Sequence, residues 1–419
     1  NETIIFGLGH ASVAEHAVFN FDITGISRLA VEEIQKFRLA SFTEKSQRYV
    51  KLDGDFITPS ELDDGEYREM MQSLIGIQNE TYFSLYETLS SHLFKKFPAR
   101  ITTKQGKTTV EGWAKEDARY VVSLATLTQF GMTVNARTLE NMLRRFKASP
   151  LSEVRELGEY IYNTVHPLSP SIIKYTEPTS YDTEREQMIR ETLSKYEKKL
   201  MSPEYDQIPV KLHSVTHDAD TVLCAALIYN YSGSDYASSM ESAQSLSTQQ
   251  KKELIKASLC SRESYDKVER AFETVEFVFE LIVSATNYAQ LKRHRMSSQL
   301  VQDYDTALGY TIPPSIIETG RTTLFTEIMK RSEDFYYLVE KNYPSVKNYA
   351  LTNAHRRRVL MKLNARELYH FISLRDDEHA QWDIRETAKE MKRLAEKEAP
   401  LTSMMLSGKS DFHECRKKV

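Results

Sequence analysis

The 419-residue sequence predicts a helix-rich fold written twice in tandem, each copy carrying a strand near its start. Two observations carry this. Helical patterns dominate a chain with only 14 glycines and 12 prolines, the residues that most often interrupt helices. Three landmarks also recur in the same order. In the first copy Glu15 stands four residues before Phe19-x-Phe21 and 23 before Arg38, with Asn135-Ala136-Arg137-x-Leu139 further on. In the second, Glu273 stands four before Phe277-x-Phe279 and 22 before Arg295, followed by Asn364-Ala365-Arg366-x-Leu368.

Taken in order, the alternation of apolar and polar residues over 17–23 predicts a strand, and the apolar run 277–283 its twin. Helical periodicity predicts helices over 66–93, 152–165, 183–200, 249–261 and 366–398. The Ser- and Thr-rich stretch 232–248 reads as a mobile loop. The join between copies is expected near Ser202-Pro203, giving domains 1–202 and 203–419. Copy two has a leader, roughly 210–259, before its strand. Copy one begins almost at its strand, so a matching N-terminal leader is expected to be missing from the sequence.

The net charge of −4 argues against a broad nucleic-acid footprint. No apolar run of membrane-spanning length is present, and no signal-peptide pattern. Cys224, Cys260 and Cys415 lie far apart without metal spacing, which fits a reducing cytoplasm. His10-x-Ser12-x-x-Glu15-His16 resembles a metal cluster only superficially and offers no further ligand, so no metal is expected. Gln105-Gly106-Lys107-Thr108 lacks the earlier glycine of a phosphate-binding loop, with Ile101 in its place, and Gly7-Leu8-Gly9 lacks the third glycine of a dinucleotide fingerprint.

Three groups of residues are candidates for chemistry, and the first two suit an anionic ligand. Glu44, Ser46 and Arg48 alternate, so on an extended segment all three point to one side. There they suit a phosphorylated, hydrogen-bonding ligand, while spacing alone also reads as a polar strand face with a surface ion pair. Arg293-His294-Arg295 places two guanidiniums around an imidazole. On a helix the two arginines diverge by about 200°, so they converge only where a helix ends or the chain extends. Asn364 and Arg375, 11 residues apart, fall within about 20° on one helix face. In copy one the position 11 after Asn135 is Phe146, so that arginine function is lost.

These motifs resemble the flavin-dependent thymidylate synthases. The resemblance rests on His10-x-Ser12-x-x-Glu15-His16, Gly25-Ile26-Ser27-Arg28, Ser46-Gln47-Arg48-Tyr49-Val50, Asn364-Ala365-Arg366-Glu367-Leu368 and His379-Ala380-Gln381-Trp382-Asp383-Ile384-Arg385. The family signature is Arg-His-Arg, a spacer, then Ser-x-Arg. The resemblance implies an α+β fold with mixed or antiparallel sheets and long helices. It also implies FAD as cofactor, NADPH and methylenetetrahydrofolate as co-substrates, and methylation of dUMP to dTMP. By position, Glu44, Ser46, Arg48, Arg119, Gln290 and Arg293 would hold dUMP, and Arg375 would contact and polarise its pyrimidine. His294, Arg295, Asn364, Arg366 and His370 would hold FAD, with His10, Ser12 and Glu15 lining the flavin and folate side.

Each copy departs from the signature in a different place. Copy one keeps the Ser-x-Arg tail, but its head is Lys36-Phe37-Arg38, with Glu33 where a glutamine is expected. Copy two keeps the head but has lost the tail, and Asp303 and Asp305 stand nearby. Since family sites lie between subunits, the expectation is a composite site shared by two diverged copies, in a homodimer that mimics the family tetramer. The alternatives are a non-catalytic nucleotide- or flavin-binding paralogue, or an enzyme of this fold acting on another pyrimidine nucleotide.

Overall fold

The computed structural model describes residues 11–48, 50–62, 65–196 and 207–418. His10 and the join expected near Ser202-Pro203 lie outside the described residues. In chain order the first copy runs β1 (Val18–Ser27), α1 (Arg28–Ile34), β2 (Ala40–Glu44), α2 (Gly65–Lys96), α3 (Lys104–Ala118), β3 (Leu127–Asn135), α4 (Ala136–Lys147), α5 (Ser152–Val165), α6 (Ser180–Thr183) and α7 (Arg185–Ser194). The second runs β4 (Val210–Val215), α8 (Ala219–Ser232), α9 (Tyr236–Ser245), α10 (Thr248–Leu259), β5 (Glu276–Ser284), α11 (Ala285–Leu291), β6 (Ser298–Tyr304), α12 (Pro314–Glu318), α13 (Thr322–Glu340), β7 (Arg356–Asn364), α14 (Ala365–Arg375), α15 (Trp382–Glu398) and α16 (Phe412–Lys418). No described helix is long and apolar enough to cross a membrane.

The fold is α+β, and the duplication is visible in its topology. One sheet has the order β1-β3-β2, the other β4-β5-β7-β6, and all pairings are antiparallel. Strands β5, β7 and β6 thus repeat β1, β3 and β2. The chain divides into two compact units: Asn1–Tyr205 with Tyr310–His355, and Asp206–Gly309 with Arg356–Val419. Residues 310–355 belong to the second copy in sequence but to the first unit in space. There Gln78 of α2 donates to Ser332 Oγ of α13 at 2.8 Å and to the Ala350 carbonyl at 2.9 Å.

Matching residues start matching helices. Ser27 and Ser284 cap α1 and α11, accepting from Ala30 N and Asn287 N. Asn135 and Asn364 cap α4 and α14, accepting from Thr138 N and Glu367 N. Each cap contributes about 1 kcal/mol by satisfying an otherwise orphaned backbone donor. The Phe pairs differ in burial. Phe277 and Phe279 are fully buried, in a core that includes Leu223, Cys224 and Leu227 of α8. Phe19 and Phe21 are half-buried. Full burial contributes up to about 3 kcal/mol per phenylalanine, so this part of the core is stronger in the second unit.

Several expectations are corrected. The helix predicted over 366–398 is two, α14 and α15, because Gln381 caps α15 through Asp383 N and Ile384 N. The stretch predicted as a mobile loop holds α9: Asp235 caps it through Ser238 N, and Ser239 and Ala243 are buried. The helix predicted over 183–200 is α7, which ends at Ser194; residues 197–200 lie outside the described residues. Strands β2, β3, β4, β6 and β7 carry no prediction from sequence.

Candidate active site

The second unit gathers the Arg-His-Arg head and the end of α14. Helix α11 stops at Leu291, two residues before Arg293, which removes the helical divergence between the arginines. Arg293 and Arg295 are exposed, and His294 between them is buried. Arg375, the last residue of α14, donates from Nε to His294 Nε2 at 3.0 Å and from an Nη2 group to the Gln290 carbonyl at 3.3 Å. The other ring nitrogen, His294 Nδ1, lies 3.2 Å from Glu367 Oε1. Phe371 packs edge-on to the imidazole with ring centres 4.7 Å apart, and the His370 ring lies at 5.8 Å. Gln290 donates from its side chain to Gln381 Oε1 at 3.4 Å.

Burial, with the Arg375 charge adding to it, pushes the His294 imidazole down to about 3. The ring therefore stays neutral in the fold, while an unfolded chain binds a proton below its ordinary value of 6.5. A depressed folded value means that stability is complete above pH 6.5 and is lost as pH falls toward 3. At pH 5 the loss reaches at most about 2 kcal/mol. Urea unfolding of the wild type between pH 7 and 5 is expected to show this slope, and His294→Gln to flatten it; equal slopes would refute the assignment.

In the first unit the corresponding positions have become apolar. Phe37 stands where the second copy has His294, and Phe146, 11 residues after Asn135, where it has Arg375. Their rings meet edge-on with centres 5.8 Å apart. A cation–imidazole contact in one copy is an aromatic pair in the other, so positions 37 and 146 of the first copy offer neither a charge nor a side-chain hydrogen-bond donor. Glu33 pairs with Lys36 at 2.6 Å.

The Ser-x-Arg tail is arranged differently from its sequence expectation. Strand β2 ends at Glu44, and the chain then turns, with Val50 N donating to the Ser46 carbonyl at 3.3 Å. Strand alternation therefore does not extend to Ser46 and Arg48, and the three residues have different partners. Glu44 is ion-paired with Arg28 and accepts from Gln35 Nε2 at 3.2 Å. Arg48 Nε donates to Glu116 of α3 at 2.5 Å. Ser46 Oγ accepts from Arg48 N at 3.2 Å, and Ser46 lines a cleft of about 190 Å³ with Lys45, Gln47, Asp53, Thr126 and Thr128. Arg119 is buried, its Nε donating to the Glu116 carbonyl at 3.3 Å, so Glu116 touches both arginines.

The remaining candidates fall into two sets. Arg366 donates to Glu273 at 2.6 Å and to the Val268 carbonyl at 3.0 Å, while in copy one Arg137 donates to Glu15 at 2.5 Å. The Arg–Glu pair is thus a repeated strap between the helix start and the segment before the first strand. Ser12 and Glu15 are exposed on the turn Ala11–His16. Asn364 accepts at the start of α14, which is a structural duty. Arg366 and His370 also line a cavity of about 150 Å³ with Arg262, Lys267 and Lys409, against one carboxylate, Asp266. Arg262 packs its guanidinium over the Tyr369 and Phe412 rings, 5.1 Å from each centre.

The thymidylate synthase complementing protein family matches residues 2–171 and again 211–401, which covers both copies. The chain belongs to this family. A UPF0159 protein from Chlamydia muridarum is 26% identical over 404 residues, covering 93% of this chain and 76% of its own length. A UPF0159 protein from Thermoplasma acidophilum is 23% identical over 439 residues. The flavin-dependent thymidylate synthase of Clostridium tetani is 34% identical over 179 residues, 42% of this chain and 69% of its own. The flavin-dependent thymidylate synthase thus matches part of this member of the thymidylate synthase complementing family, and the UPF0159 proteins match nearly all of it.

Sequence reasoning about this family member passed over Glu367, Glu116, Arg262, Lys267 and Lys409. Glu367 had a visible signal, but a misleading one. It stands three residues after the cap Asn364, where an acidic residue reads as helix capping.

Proposed function

We propose that this chain is a flavin-dependent thymidylate synthase. It methylates dUMP to dTMP with methylenetetrahydrofolate and NADPH, working through FAD, and its two diverged copies contribute different residues to one activity. The observation that supports this reading is the second unit's intact head. Arg375 is held at two points, by His294 and by the Gln290 carbonyl, with Arg293 and Arg295 exposed beside it. An arginine held in this way is preorganised to polarise a pyrimidine carbonyl. The first copy has exchanged that machinery for Phe37 and Phe146 but retains Ser46 and Arg48.

The cationic cavity around Arg366 and His370 suits the phosphate-bearing part of a flavin cofactor. Its 150 Å³ is below the roughly 300 Å³ of a whole ligand pocket, so it takes only part of one. Arg262, Lys267, Arg366 and Lys409 would hold that part, and the bound flavin would supply reducing equivalents. Arg293 and Gln290 would orient dUMP. Two chains would form the working homodimer, a size that light scattering reads directly.

The test is thymidylate formation by the full-length protein supplied with FAD, NADPH, methylenetetrahydrofolate and dUMP. Arg48→Ala and Arg293→Ala are each expected to lower turnover by about 100-fold or more, as the loss of a charged ligand contact does. Turnover that survives Arg293→Ala would sink the idea that both copies contribute. The second reading is a non-catalytic nucleotide- or flavin-binding paralogue. It is favoured by the Phe37–Phe146 pair and by Glu116 neutralising Arg48. FAD and dUMP binding without product would decide for it.

A further inference from the structure

We infer that Glu367 is a positioning residue that holds Arg375 in place by setting the tautomer of His294. The inference rests on the proposed role of Arg375 in the reaction, but the geometry stands apart from that role. An arginine Nε–H can only donate. Its 3.0 Å contact with His294 Nε2 therefore requires that nitrogen to be unprotonated. The proton of the neutral ring must then sit on Nδ1, and the atom facing Nδ1 is Glu367 Oε1 at 3.2 Å. Glu367 and His294 are both buried, so water does not compete for either contact. A carboxylate accepting from Nδ1–H also raises the basicity of Nε2, which strengthens its hold on the guanidinium.

His370 and Lys267 act on Glu367 by their charge, and burial raises its carboxyl. His294, Glu367 and His370 also present ligand atoms within 4.8 Å of one another, the spacing of a metal site. Arg375 argues against that use. A cation on Nδ1 would leave the ring no proton, and the guanidinium beside it adds repulsion.

The duplication supplies an internal control. In the first copy the positions of Glu367, His294 and Arg375 are Thr138, Phe37 and Phe146. All three members have changed together, as expected if each matters only through the others.

The first measurement is ¹⁵N-resolved NMR of the histidine rings in the full-length protein, with His294 identified by its loss in His294→Gln. The expected result is a single Nδ1–H tautomer for His294 between pH 6 and 8. Glu367→Ala should move it toward the Nε2–H form, with kcat lowered about 10- to 100-fold and dUMP binding changed less. Glu367→Gln, whose amide oxygen can still accept from Nδ1–H, should recover part of the Nδ1–H signal and part of the rate, and it serves should the alanine variant fail to fold. An Nε2–H tautomer in the wild type would overturn the inference, and so would a Glu367→Ala protein with the wild-type tautomer and rate. If the wild type shows the Nδ1–H tautomer but makes no thymidylate, the positioning stands and the proposed function fails.

Discussion

Arg375→Ala is expected to lower thymidylate formation by about 100- to 1,000-fold, the range for removing one preorganised electrostatic contact in an active site. The fold should survive. Arg375 is the last residue of α14 and only partly buried, so its loss removes contacts to His294 and the Gln290 carbonyl worth about 1–3 kcal/mol together. Arg375→Lys is a sharper comparison. It keeps the charge, but a lysine ammonium lacks the planar fork that reaches His294 and Gln290 together. It should therefore remain severely impaired. Single-turnover product formation, with circular dichroism to check folding, reads both variants; Arg375→Ala turnover within about threefold of wild type would remove Arg375 from the chemistry.

Glu153→Ala should produce the largest loss of stability in the first unit, about 3 kcal/mol. Glu153 of α5 accepts from Ser27 N at 2.5 Å, from Ser27 Oγ at 2.7 Å and from the buried Tyr349 hydroxyl at 2.9 Å. Burial pushes its carboxyl up, while those three donors pull it back. Alanine would leave three donors without an acceptor, each costing about 1–3 kcal/mol, with water entering the vacated space to recover part of the sum. Ser27 also caps α1, so the damage should spread to that helix. The midpoint of urea unfolding measures it, and a loss under about 1 kcal/mol would show that the cluster tolerates a missing acceptor. The second unit has its own version: Ser284 Oγ donates to Asp383 at 2.5 Å, and Asn287 donates to the same carboxylate at 3.0 Å.

Legibility varied with the kind of information each element carries. Helix α5 matches its predicted limits, and α2 extends the prediction by only one residue at its start and three at its end, because period and charge pattern are local. Strand β5 was legible as an apolar run. Strand β7 was not: Arg356-Arg357-Arg358 opens it, and only pairing with β5 and β6 makes those residues extended. Helix α9 was hidden by its serines, which favour loops unless a cap and buried contacts outweigh them, as Asp235 and Ala243 do. Glu44, Ser46 and Arg48 were singled out from their alternate spacing. Their shared direction was wrong, because strand geometry was carried past the point where β2 ends.

The sequence by itself determined that the fold is duplicated, which landmarks recur in the two copies, and that each copy has lost a different half of one motif. All of these are written in spacing along the chain, which folding does not alter. Tertiary structure alone decided which side chains meet. His294 finds Glu367 and Arg375 across 73 and 81 residues, and Arg48 finds Glu116 across 68. Phe37 and Phe146 prove to be partners only because α4 carries one ring onto the other. Such meetings depend on how strands pair and helices pack, and on burial that excludes water from a polar contact. No local propensity encodes either.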